Sequence, residues 1–174
     1  VLASIDPNTL AVSDRLKPPS KTYLMGTDEF GRDVYSRLLY GARLSMTIGL
    51  SVVLISSVVG TAFGLIAGYF RAADNVIMRF MDGMMAFPDI LLAIALMASL
   101  GPSVINVIIA LGVVYTPRVA RVVRSATLSI RETEYVEAAQ AVGVVPAAIL
   151  LRHILPNAVS PIIVQATFTF ANSV

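Results

Sequence analysis

The chain has 174 residues, 56% of them hydrophobic and only 14% charged, with a mean hydropathy of +0.78. A soluble domain of this size would carry roughly 25% charged residues to cover its surface, so the composition points to lipid as the solvent and excludes an ordinary soluble domain. Eleven Arg and two Lys are scattered along the chain with a formal net charge of +2, which excludes a nucleic-acid face, and the lack of Cys excludes a disulfide framework and thiolate metal sites.

Residues 1–43 are mixed and polar, punctuated by Pro7, Pro18 and Pro19, and end in Gly26-Thr-Asp-Glu-Phe-Gly-Arg-Asp-Val-Tyr-Ser-Arg-Leu-Leu-Tyr-Gly-Ala-Arg43. Thr27 or Asp28 is suited to cap a helix N-terminus. Asp33 and Arg37 then fall four apart on one face, beside an apolar stripe of Val34/Leu38 and Tyr35/Leu39. The pattern predicts an amphipathic helix at the membrane surface before residue 44.

Leu44 to Phe70 carries no charge and exceeds the roughly 20 residues needed to cross the hydrocarbon core, so it predicts a first span, 44–70. Small residues at Gly49, Ser56, Gly60, Gly64 and Gly68 recur at helical spacing, either as a close-packing face or because glycine is common in membrane helices. After a charged connector, Ile90 to Pro117 is again uncharged. Gly101-Pro102 in its middle predicts a turn, hence a hairpin of spans 83–100 and 104–123.

The hairpin puts Arg71/Arg79 and Arg118/Arg121/Arg124/Arg131 on one side, which the positive-inside rule makes cytoplasmic. The basic residues divide almost evenly between the two sides, so the hairpin geometry carries more weight than the tally. Asp89 and Asn106 are polar residues at or within the apolar zone. They are candidates for the translocation path, because intramembrane polar groups are costly, while Asp89 also suits a headgroup-level helix start. A cytoplasmic loop is predicted at 124–156 and a fourth span at 157–174. The chain lacks an initiator Met and a signal pattern and ends inside an apolar run, so a fragment of a longer protein is expected.

No chemistry-bearing constellation stands out. Lys21-Thr22 lacks the glycines of a phosphate-cradling loop, and His153 has no second His or Cys to complete a metal or nucleophile pair. No cofactor is expected in this chain, and no enzymatic activity. The segment that invites a partner is Glu137-Ala-Ala-Gln-Ala-Val-Gly143. A helix over 133–142 stops at Gly143, a second starts at Pro146 and runs to Leu155, and Pro156 breaks it. Its alanines leave a shallow surface that another backbone can approach. Read from residue types alone, an ordinary interhelical loop fits equally well.

Glu137-Ala138-Ala139, Gly143 and Leu155-Pro156 resemble the EAA signature of permease subunits of ABC-type importers. The Gly26–Arg43 stretch with its Gly26, Thr27, Asp28, Gly31, Arg32, Asp33 and Arg37, together with Arg79-Phe-Met-Asp82 and Phe87-Pro-Asp89, resembles the dipeptide/oligopeptide/nickel branch. His153 stands where the general signature prefers Ile, a feature similar to the peptide branch.

The resemblance implies an all-α polytopic helical membrane permease, with about four of six spans present. It further implies a bacterial or archaeal cytoplasmic membrane, a heterodimer with a homologous permease, and an extracytoplasmic solute-binding protein. Two cytoplasmic ATPase subunits would hold ATP and Mg and dock on the 137–143 segment. The carried solute would be a di- or oligopeptide or a nickel chelate. The rival reading, a secondary transporter or channel, would need ionisable groups well inside the spans.

Overall fold

The structure, a computed structural model, describes residues 6–174, so the first five residues of the 1–43 segment lie outside it. Among the described residues the regular structure is helical: α1 (Val34–Tyr69), α2 (Arg71–Met85), α3 (Asp89–Leu100), α4 (Val104–Arg131), α5 (Glu134–Ala141), α6 (Pro146–Ala148) and α7 (Leu155–Ser173). A 3-10 turn lies at Val12–Asp14, and a π-helical stretch, Ile149–Ile154, joins α6 to α7. The chain divides into two compact units, one reaching to Thr47 and one running Ile48–Val174.

In the first unit, two glycines with positive φ, Gly26 (+75) and Gly31 (+74), shape the loop. A Cβ at Gly31 would collide with the Ala11 carbonyl, so no other residue fits there. The Thr27 hydroxyl accepts from the Lys17 N–H at 2.8 Å and donates to the Asp14 carbonyl. Asp28 Oδ1 accepts from the N–H groups of Phe30 (2.9 Å) and Arg32 (3.0 Å), an Asx turn. The helix cap expected at Thr27 or Asp28 is supplied instead by Asp33, whose Oδ2 accepts from the Ser36 N–H at 3.0 Å and its hydroxyl at 2.6 Å. The tight turn at Gly31 keeps residues 27–33 out of helix and moves the start to Val34.

Arg37 likewise does not pair with Asp33, four residues back. It reaches Asp28, which also holds Arg32 Nε at 2.8 Å. Partial burial alone would raise the Asp28 carboxyl, but the two backbone N–H groups and the two guanidinium groups outweigh it and hold the carboxyl well below the usual carboxylate range. A depressed folded-state value contributes stability above the unfolded value near about 4 and loses it as pH falls below that. Thermal melts in detergent should therefore show a loss that sets in as pH falls to about 4 and deepens at more acidic pH, and that is flatter in Asp28→Asn.

The surface helix expected before residue 44 is not a separate element. α1 is one helix of 36 residues, about 54 Å long, because nothing between Val34 and Tyr69 interrupts helical geometry. The span expected over 83–100 also differs. Gly83 lies inside α2, and the chain breaks at Ala86–Pro88, where Pro88 forces its neighbour out of the helical region, and bends by 92° between α2 and α3. The charged connector is thus an amphipathic helix, and α3 alone, with 12 residues, is only about 18 Å long.

In the second unit α4 is the central helix, with Ala110, Val114, Val119, Ala120 and Val123 all buried. It runs eight residues past the expected end at 123, because Arg118, Arg121, Arg124 and Arg131 all find partners along its flank. The glycine row of α1 packs against it. A Cβ at Gly60, Gly64 or Gly68 would come within 2.6, 2.6 and 2.5 Å of Val119, Val123 and Thr127 respectively. Both rows advance by four residues, so each glycine receives one side chain of α4, the close approach that small residues allow. Arg131 then donates to the carbonyls of Gly68 (3.1 Å) and Tyr69 (3.2 Å), closing the C-terminus of α1.

Pro156 does not end the helix that begins at Pro146. The chain continues helical from Pro146 to Ser173. Proline lacks the N–H of the α ladder and clashes with the preceding turn, and the π stretch just upstream absorbs the misfit, with the Leu155 N–H donating to the Leu150 carbonyl five residues back. α1, α4 and the Pro146–Ser173 helix are each long and apolar enough to cross a membrane, and the bent α2–α3 pair makes up to four.

Candidate coupling site

The segment singled out in the sequence forms a short helix and an elbow. Thr133 precedes α5 in extended conformation, and only Glu132 and Thr133 separate α5 from α4. Glu134 and Glu137 lie in the first turn, where the helix dipole favours carboxylates. At the other end Gly143 adopts φ +84. The Val144 N–H donates to the Ala139 carbonyl at 3.1 Å and the Gly143 N–H to the Gln140 carbonyl at 3.0 Å, the paired bonds of a Schellman stop. A Cβ at Gly143 would meet open space, so backbone conformation and not crowding demands glycine here.

One side chain fastens α5 to the bundle. Val136 is 0% exposed and belongs to a cluster with Leu65 of α1, Val119 and Val123 of α4, and Ile149 and Ile154 of the π stretch, flanked by Tyr69, Ile130, Val144 and Leu155. The opposite side is open. Glu134, Glu137, Ala138 and Ala141 recur at helical spacing and are all exposed, and large apolar groups stand beside them, with Tyr135, Val145 and Val142 exposed, the last by 80%.

The expected site residues therefore divide. Glu137, Ala138 and Gly143 are exposed on α5 and its stop, while Ala139 is half-buried. Leu155 and Pro156 are not on this helix. Leu155 packs against the cluster and Pro156 is exposed at the start of α7. Tyr135 and His153 link the two parts, with ring centroids 6.3 Å apart. Val136, Tyr135 and Val142 were not singled out in the sequence, although Val136 could have been found as the one apolar residue on the side of α5 opposite Glu134 and Ala138.

Both polar residues expected along the path have partners within the chain. Asp89, the first residue of α3, accepts from Arg118. Asn106 Nδ2 donates to the carbonyls of Leu100 (2.8 Å) and Gly101 (3.0 Å), holding the α3–α4 turn, where Gly101 has φ +88. Two further pairs join α4 to α2. Arg121 meets Asp82 at 2.5 Å, and Arg124 grips both oxygens of Asp74 at 2.5 and 2.6 Å. Among the described residues no cluster of side chains could hold a metal ion.

α5 thus presents an exposed face of Glu and Ala residues while Val136 packs it against the helical bundle. Residues 60–174 match the family model of the binding-protein-dependent transport system inner membrane component, and the chain belongs to that family. It is 49% identical to the dipeptide transport system permease protein DppC of Alkalihalophilus pseudofirmus, over 93% of this chain and 54% of that protein. It is 42% identical to the di/tripeptide transport system permease protein DppC of Pseudomonas aeruginosa, over 99% and 59%. It is also 44% identical to the glutathione transport system permease protein GsiD of Pectobacterium atrosepticum, over 87% and 51%. The chain thus spans somewhat more than half the length of these relatives. It is a helical multi-pass membrane protein of a transport family.

Proposed function

We propose that this chain forms part of the translocation path of an ATP-driven, binding-protein-dependent importer in a bacterial or archaeal cytoplasmic membrane. Its partners are a homologous permease subunit, an extracytoplasmic solute-binding protein and two cytoplasmic ATPase subunits, which hold ATP and Mg. The transported solute is a short peptide or a molecule that shares its backbone chemistry. The names of the relatives support that class. Gly26 to Arg43 then faces outside and α5 faces inside. Asp89, paired with Arg118, and Asn106 remain the candidates for the wall of the path.

The observation that carries this reading is α5 itself. It exposes Glu137, Ala138 and Ala141 in a shallow face while Val136 ties it to the helices that cross the membrane. A body seated on α5 therefore pushes directly on α1 and α4. Two substitutions test it in proteoliposomes holding the full-length importer. Glu137→Lys reverses one of the two carboxylates on the face, Glu134 being the other. Gly143→Asp places a side chain at positive φ, costing roughly 1–2 kcal/mol, and adds a further carboxylate to those of Glu134 and Glu137. Each should reduce uptake to background and abolish stimulation of the ATPase, while membrane insertion is retained. Unchanged uptake with both substitutions would sink the assignment.

A further inference from the structure

Three arginines of α4 stand three residues apart, and each holds one carboxylate of the bent α2–α3 pair: Arg118 with Asp89, Arg121 with Asp82, Arg124 with Asp74. Rows at this spacing run obliquely across a helix, inclined by about 45° to its axis. Asp74 and Asp82 lie on α2, whereas Asp89 opens α3, and the 92° bend at Ala86–Pro88 falls between them. One oblique row therefore grips both arms of one hinge. A displacement of α4 that the three pairs follow is therefore passed to both arms of the hinge.

The Arg121–Asp82 pair is poorly suited to a purely stabilising role. Arg121 and Asp82 are 50% and 61% exposed, and exposed ion pairs contribute little to stability. Asp74, Asp82 and Arg124 line a polar cleft of about 380 Å³ together with Asn75, Met78 and Arg79. In such a hydrated setting a pair can open and re-form without stranding a buried charge. The same row is stiffly joined to α5. The Thr133 N–H and hydroxyl both bond the Ile130 carbonyl, at 3.1 and 2.6 Å, and Val136 packs on Val119 and Val123 of α4.

We infer that Arg118, Arg121 and Arg124, with Asp89, Asp82 and Asp74, are positioning residues that convert displacement of α5 and α4 into a change of the α2–α3 hinge angle. The inference rests on the coupling role of α5 proposed above. It names the element that both ends bias, which a coupling mechanism requires.

These 174 residues contain no Cys, so once any Cys elsewhere in the importer has been replaced, a single pair of introduced thiols reports the hinge. Spin labels on Phe80→Cys of α2 and Ile94→Cys of α3, both exposed positions, are measured in the full-length reconstituted importer, nucleotide-free and trapped with ATP and vanadate. With the arginine row intact, the label distance should differ between the two states. With Asp74→Asn and Asp82→Asn together it should become independent of nucleotide, and uptake per ATP hydrolysed should fall at least tenfold while the ATPase subunits still co-purify. The exchange Asp74→Arg with Arg124→Asp, made with Asp82 intact, should restore the shift.

A hinge distance that follows nucleotide equally well without the two carboxylates would overturn the inference, as would a loss of uptake that only tracks the amount of folded complex. Failure of the α5 reading is seen separately. In that case Glu137→Lys leaves ATPase stimulation and the label shift of the intact row unchanged.

Discussion

Val136→Asp should release the coupling helix from the bundle and abolish uptake with the spanning helices still in place. Val136 is fully buried between Leu65, Val119, Val123, Ile149 and Ile154, all of them apolar. Burying the charge there costs several kcal/mol, and the side chain must either protonate or leave. Leaving is the less costly route, because only Glu132–Thr133 and Val142–Val145 tether α5 on either side. Protease cleavage around 132–145 should rise sharply, while the Tyr115 hydroxyl contact to the Asn172 carbonyl (3.1 Å) and the rest of the α4–α7 packing keep those helices together. Val136→Ala forfeits about 1.5–3 kcal/mol of burial and should give faster amide exchange in α5 with partial uptake. Val142→Ala, at an exposed position, should leave both the proteolysis pattern and the melting temperature unchanged.

Gly64→Ala is expected to destabilise the second unit by about 1–3 kcal/mol, the usual cost of forcing atoms into a filled interface. The added methyl would lie 2.7 Å from the Ala120 carbonyl oxygen and 3.0 Å from the Arg124 N–H nitrogen. Backbone atoms cannot rotate away as a side chain could, so α1 must move off α4, and the Arg131 bonds to Gly68 and Tyr69 go with it. Gly83→Ala is the matched control. It sits in α2 with nothing near its would-be Cβ, and should gain roughly 0.5–1 kcal/mol from reduced backbone freedom. Thermal melts of the two variants in one detergent should therefore shift in opposite directions. A common direction would mean that the glycine row is compositional and not a packing face.

The family was legible through the resemblance carried by the Gly26–Arg43 and Glu137–Gly143 motifs, and the helical class and the long apolar runs were legible because they depend on local composition and period. The stop at Gly143 and the start at Pro146 were legible for the same reason, since each is set by one residue's backbone. What escaped depends on residues far apart in the chain. The Arg118, Arg121 and Arg124 row reads in sequence as a basic flank. It is a hinge grip only because Asp89, Asp82 and Asp74 lie 29 to 50 residues earlier, and no local signal marks that pairing. A helix start at Asp89 after Pro88 and the turn at Gly101-Pro102 were both legible, but the bend of 92° between α2 and α3, which divides the span expected over 83–100, was not. The cap at Asp33 was displaced from Thr27 by the positive φ of Gly31, a torsion the sequence permits but does not announce.

The π stretch carries a consequence for how this region is numbered around its axis. Ile149 and Ile154 are both fully buried in the same cluster, yet five residues of α-helix advance roughly 500°, which would set them about 140° apart. They share a face only because the wider turn between them inserts one extra residue. The helix before it and the helix after it are therefore written in two rotational frames, spliced at Ile149–Ile154. A helical wheel drawn straight through from Pro146 to Ser173 offsets the two halves by about 100°, one residue's advance. Removing one residue from the splice would merge the two frames and leave the isoleucines four apart, about 40° from each other on a regular α-helix.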